Sequence, residues 1–176
     1  YMGIQLLLLR DANWSPDLPT SAQMIKALYA ADTGIQIDGI VTLDLHAAER
    51  IVHALAPLKI EGTEEPLTGE TLLEQIFQFW SRPLDTGETL DEVGLGRWWV
   101  QRKDFMPKLA EAALAKVEAG DADLQLLAEA GLNALEERSI QIWIDNAHVA
   151  EQLANLDWDG SLNPPPNSDF LGLVDS

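Results

Sequence analysis

An arginine and an aspartate, Arg10-Asp11, stand side by side just past an apolar run, Ile4 to Leu9. Charged residues beyond the end of a strand sit where α/β folds build their sites. Asp44, Asp145 and Asp175 stand in the same relation to three further apolar runs, 39–43, 140–144 and 170–174. If these runs are parallel strands, their carboxylates gather along one sheet edge. Clustered carboxylate oxygens can hold Mg²⁺ or Ca²⁺, or serve as general acid and base. A plainer reading stands beside this one. Asp44 and Asp145 also occupy helix N-cap positions, and capping alone is the favoured account of both. Arg10-Asp11 has no such duty, so a site and local structural bonding both stand open for that pair.

The segment Arg97-Trp98-Trp99-Val100-Gln101-Arg102-Lys103-Asp104 gathers cations and aromatics ahead of a predicted helix start. Such a terminus attracts anions, and arginines beside it reinforce that. The favoured reading is again the plain one: a tryptophan packs inward and the cations pair with the many acids. The chain has six tryptophans. Trp14, Trp98, Trp99 and Trp158 fall in predicted loops or helix edges, where exposed rings can stack on sugar faces. Trp80 and Trp143 read as core. His46, His53 and His148 lack metal-ligand spacing and read as surface or packing residues, so no metal site is expected. Asn13-Trp14-Ser15 matches a glycosylation acceptor, a frequent accident. No P-loop, GxGxxG or Ser/His/Asp arrangement is present.

The elements that must position these residues alternate along the chain. Ile4–Leu9 and Gly39–Leu43 are continuous apolar runs, the pattern of strands buried on both faces. Short strands are expected at 58–60, 140–144 and 170–174. Pro19 opens a helix to about Ala31, ended by Gly34. Asp44 caps a helix whose Ala47, Ala48, Ile51, Val52 and Leu55 share one face. Thr68 starts a helix through Leu72, Leu73, Ile76 and Trp80. Residues 82–97 read as a turn-rich loop. Asp104 is expected to cap the helix of Phe105, Leu109, Ala113 and Val117, with Pro107 in its first turn. Further helices are expected from Asp123 to Glu137 and from Asp145, as cap, to Leu156. The order implies an α/β fold: a largely parallel sheet of about five strands, helices on both faces, and strands 4–9 and 39–43 central.

Composition sets the outer limits. At 176 residues the chain suits a single domain, 1–176, able to bury roughly 70% of its unfolded surface. A formal charge of −18 speaks against nucleic acid as a partner, because phosphate-backbone binding needs a basic face. There is no cysteine, which excludes disulfides and thiolate chemistry. No stretch approaches the roughly 18–20 apolar residues that span a bilayer. The chain starts close to one strand and stops close to another, so it reads as an excised part of a longer protein.

The stretches RDANWSPDLPTSAQ (10–23), IDGIVTLDLHAAERIVHAL (37–55), LTGETLLEQI (67–76), RKDFMPKLAEAAL (102–114) and FLGLVDS (170–176) resemble the bacterial family of unknown function 4012. That resemblance implies an extracytoplasmic protein, anchored to the membrane through residues outside this chain. More distantly, the order of parts is similar to the LytR-CpsA-Psr family. That family transfers glycopolymers from a polyprenyl-pyrophosphate carrier to the cell wall. The second resemblance implies an αβα fold and a site at Arg10, Asp11 and Asp104. With Asp44 from the strand-end pattern and Arg102 as a substitute cation, the candidate site is Arg10, Asp11, Asp44, Arg102 and Asp104. The family's two pyrophosphate-gripping arginines are replaced here by Pro107 and Ala110, which removes most of the charge-assisted bonds expected there. The expected function is therefore a cell-envelope domain binding a glycan or a protein partner, without a cofactor, with Trp14, Trp98 and Trp99 as stacking candidates. The alternative is a Mg²⁺-assisted phosphotransferase acting on a polyprenyl-pyrophosphate-linked glycopolymer.

Overall fold

The computed structural model describes residues 12–61, 63, 65–81 and 92–164, with the side chains of 92, 93 and 97–103 left aside. The described residues form six helices and one two-stranded antiparallel sheet. The chain divides into two compact units, residues 1–43 with 135–176, and residues 44–134.

The first unit is built on β1 (Gly39–Leu43) and β2 (Ile140–Ile144), paired antiparallel with Ile40 opposite Trp143 and Val41 opposite Ile142. Side chains alternate across a strand, so Ile40 and Trp143 lie on one face and Val41 and Leu43 on the other. The first face packs on α1 (Leu18–Thr33) through Leu18 and Ala22. Asp17 caps α1, Pro19 stands in its first turn, and Gly34 ends it in the left-handed conformation at φ 73°. Each of these is the residue type that its position favours. The short helix α6 (Ala147–Asn155) follows β2.

The second unit is helical. Asp44 caps α2 (Leu45–Leu55), and its side chain accepts from the Ala47 amide at 2.8 Å. Thr68 and Thr71 close a reciprocal box at the start of α3 (Gly69–Trp80). Val52, Leu55, Leu72 and Ile76 pack with Phe105 and Leu109 of α4 (Glu92–Glu118), and Phe79 lies 4.8 Å from Phe105 between ring centres. Lys116 of α4 donates to the carbonyls of Leu55 at 2.7 Å and Pro57 at 3.2 Å, meeting orphan acceptors where α2 ends. The helix α5 (Leu124–Glu136) follows Asp123, whose side chain accepts from the Gln125 and Leu126 amides.

This architecture overturns the expected α/β fold, the parallel five-stranded sheet and the αβα form implied by the LytR-CpsA-Psr resemblance. Only two strands are described, and they are antiparallel. Gly39–Leu43 is a strand but is not buried on both faces: Val41 is 61% and Leu43 48% exposed. Residues 58–60 form no strand, only a bridge from Leu58 to Leu67. The expected loop over 82–97 is corrected from Glu92 onward, where α4 has begun. Asp104 therefore caps nothing and lies well inside α4, as does Pro107. A proline within a helix costs about 3 kcal/mol. The buried stripe of Phe105 and Leu109 on the same helix offsets a cost of that size. The cap of α6 is Asn146, not Asp145, because Asp145 pairs with Lys26 of α1. Trp143 is core as expected, whereas Trp80 is 39% exposed. The expected strands 4–9 and 170–174 lie outside the described residues.

Candidate functional site

Of the residues singled out in the sequence, Trp14 has the most informative setting. Trp14 is 67% exposed, although hydrogen bonds brace the residues that follow it. Ala12 is buried on one side. On the other, the Asp17 amide donates to the Ser15 hydroxyl at 3.2 Å, and the Ser21 hydroxyl donates to the Ser15 carbonyl at 2.8 Å. Asp17 then ties this turn to the distant segment 159–163. One carboxylate oxygen accepts from the Thr20 amide at 3.0 Å, and the other accepts from the Leu162 amide at 3.0 Å. The Thr20 hydroxyl also donates to the first of these oxygens, Oδ2. That hydroxyl bond, aided by the amides of Leu162 and Thr20 and opposed by partial burial, holds the Asp17 carboxyl below its ordinary value.

A second tie runs from the Leu18 amide to the Gly160 carbonyl at 3.1 Å. Gly160 has φ 65°, and a Cβ placed there would stand 2.8 Å from Leu18 Cβ. Glycine permits both the conformation and the approach. Asp159 accepts from the amide and hydroxyl of Ser161, and Asn163 donates to that hydroxyl. The Trp14 turn is thus bonded to a segment rich in short polar side chains.

The other sequence candidates fall on separate elements or outside the described residues. Asp44 is a helix cap. Asp104 is an exposed residue on α4. Arg102, Trp98 and Trp99 belong to α4, with side chains outside the described set, and Arg10 and Asp11 lie outside the described residues altogether. β1 ends at Leu43 opposite Ile140, where β2 begins, so the chain leaves the two strands at opposite ends of the ladder. The expected gathering of carboxylates past parallel strand ends therefore does not arise from these two strands. Among the described residues no group of three His, Cys, Asp or Glu side chains is placed to hold a metal, and no helix is long and apolar enough to cross a membrane.

One feature of the second unit had no sequence signal. A half-open cleft of about 360 Å³ lies between α2, the start of α3 and α5. Ala54, Gly69, Leu126 and Ala130 give it an apolar lining. Glu49, Glu70 and Glu129 stand around it, together with Arg50 and His53. At Gly69 the two helices nearly touch: a Cβ there would stand 2.8 Å from His53 Cβ and 2.9 Å from the Glu49 carbonyl oxygen. In the sequence these are ordinary surface positions of three separate helices, and only packing brings them together.

The model of the family described as Protein of unknown function (DUF4012) matches residues 1–78. Over that part the chain is similar to the family, as the stretches 10–23, 37–55 and 67–76 suggest. The stretches 102–114 and 170–176 fall beyond the match. No curated protein and no solved structure matches the chain.

Proposed function

We propose that this chain is a bacterial cell-envelope binding domain, held outside the cytoplasm by a membrane anchor elsewhere in its protein, and that it takes an envelope glycan on the ring of Trp14. The observation that carries this reading is an indole left in solvent by a turn whose neighbours are fixed. A ring on a loose loop loses binding energy to ordering, whereas a ring on a braced turn has met part of that cost in folding. The apolar face of a sugar stacks on such a ring, and its hydroxyls need short polar side chains nearby. Asn13, beside Trp14, and Ser161 and Asn163, on the bonded segment, are of that kind. The phosphotransferase alternative drew on a parallel strand-end cluster, and the antiparallel register weakens its basis.

Calorimetric titration with soluble N-acetylglucosamine oligomers and teichoic-acid fragments tests the reading. Binding is expected, and Trp14→Ala should abolish it while circular dichroism and the unfolding midpoint stay unchanged. A flat titration across the panel, or unchanged binding by Trp14→Ala, refutes the proposal.

A further inference from the structure

The cleft of the second unit is independent of the Trp14 turn and shares no residue with it. Its volume of about 360 Å³ falls at the lower end of ligand pockets, enough for one or two side chains rather than a large cofactor. Its apolar lining includes Leu126, which is 42% exposed. Around that lining the charge is one-sided. Three glutamates, Glu49, Glu70 and Glu129, line it with one arginine, and the Arg50 Nε donates to His46 on its own helix at 3.2 Å. Glu49 lies 4.0 Å from His46, and Glu129 accepts from the Gln125 side-chain amide at 3.1 Å, which leaves each carboxylate its charge. An anionic occupant would meet three carboxylates, within a chain of net charge −18. An occupant with an apolar centre and cationic flanks meets complementary groups at both levels.

We propose that this cleft docks a basic, amphipathic peptide segment of a protein partner. A leucine-sized side chain would sit against Leu126 and Ala130, and flanking lysines or arginines would lie against Glu49, Glu70 and Glu129. The apolar contact supplies affinity, and the carboxylates select the sign of the partner and speed its arrival. Nothing in this proposal depends on glycan binding.

The test uses the whole chain and a labelled nonapeptide alternating lysine and leucine, read by fluorescence anisotropy at low salt. A glutamate-for-lysine version of the peptide is the reference. Wild type should bind the basic peptide and not the acidic one, with affinity falling as salt is added. Leu126→Ala should weaken binding roughly fivefold through lost apolar contact. Glu129→Gln should weaken it roughly two- to fivefold, as expected for exposed charge pairs. Ala130→Trp, which fills the cleft from a half-buried helix position, should block binding, with helicity checked by circular dichroism.

Glu151→Gln on α6, remote in sequence from the cleft residues, should leave affinity unchanged. Equal losses for Glu151→Gln and Glu129→Gln would mean attraction by net charge alone and would overturn the proposal. So would full binding by Ala130→Trp, or no binding by wild type. If Ala130→Trp fails to fold, amide shift mapping on wild type decides. Peptide-induced shifts at Gly69, Ala130 and Asn133 support the site, and shifts elsewhere refute it.

Discussion

Replacing Gly69 by alanine should destabilise the second unit even though the change favours helix on propensity alone. The added Cβ would lie 2.8 Å from His53 Cβ, 2.9 Å from the Glu49 carbonyl oxygen and 3.2 Å from His53 Cα. Carbon atoms in comfortable contact are about 3.5–4.0 Å apart, so the methyl would intrude by over half an ångström. The Glu49 oxygen and His53 Cα are backbone atoms of α2, so no rotamer change relieves the clash. Overpacking of this kind costs about 1–3 kcal/mol. Alanine recovers about 0.5–1 kcal/mol of backbone entropy, leaving a net loss of about 0–2.5 kcal/mol, centred a little above 1. Gly131 of α5 is the matched control, since a Cβ there meets nothing within 4 Å. Gly131→Ala should therefore stabilise by about 0.5–1 kcal/mol. Urea denaturation followed by helical circular dichroism reads both variants, with midpoints compared at unchanged slope. The predicted signs are opposite. A Gly69→Ala midpoint equal to or above wild type would show that α2 and α3 do not meet as closely as described.

Asp17→Ala should cost about 1–2 kcal/mol by removing the cap of α1 and the tie to Leu162. Because the folded carboxyl lies below its ordinary 3.8, its contribution is present above that pH and is lost as pH falls through the lower folded value. The gap between wild type and Asp17→Ala in thermal midpoint should therefore close on acidification below pH 3.8; a gap constant with pH would be incompatible with this account. Gly160→Ala should cost about 1–3 kcal/mol, through a strained positive φ and the approach to Leu18, and should loosen the Trp14 turn. Amide exchange at Leu18 checks it, and undiminished protection there would contradict the predicted loosening. Asp44→Ala should lose about 1 kcal/mol as an ordinary helix cap and leave both proposed binding activities intact. Loss of glycan or peptide binding with little loss of stability would return Asp44 to a functional role.

Local signals in the sequence translated well into structure, and signals that depend on neighbours did not. Asp44, Thr68 and Gly34 mark helix ends because capping and left-handed termination involve only a few adjacent residues. The apolar face of α2 and the stripe of Phe105 and Leu109 follow from helical periodicity. The run GIVTL is apolar throughout, but how many layers cover a strand is not written in the strand. Here Ile40 turns inward while Val41 and Leu43 face out. Asp145-Asn146 offers two adjacent capping residues, and a remote lysine on α1 decides between them. Asp104 followed by Pro107 looks like a helix start, yet burial along α4 carries the helix through both. Of the candidate site, Trp14 was legible as a loop aromatic. The ties that fix its turn were not, because Leu162 and Gly160 lie far along the chain.

The outward face of β1 has a colloidal consequence. Val41 and Leu43 present an exposed apolar strand surface of the kind that promotes self-association. In sequence the strand is bracketed by Asp38 and Asp44, which oppose stacking of two copies in register, and the −18 charge repels approach from any direction. That protection is electrostatic, so it fails when the carboxylates are neutralised or screened. The protein should stay monodisperse at neutral pH and moderate salt. It should precipitate on dialysis toward its isoelectric point of about 4.2, and Val41→Lys should widen the pH range over which it stays in solution.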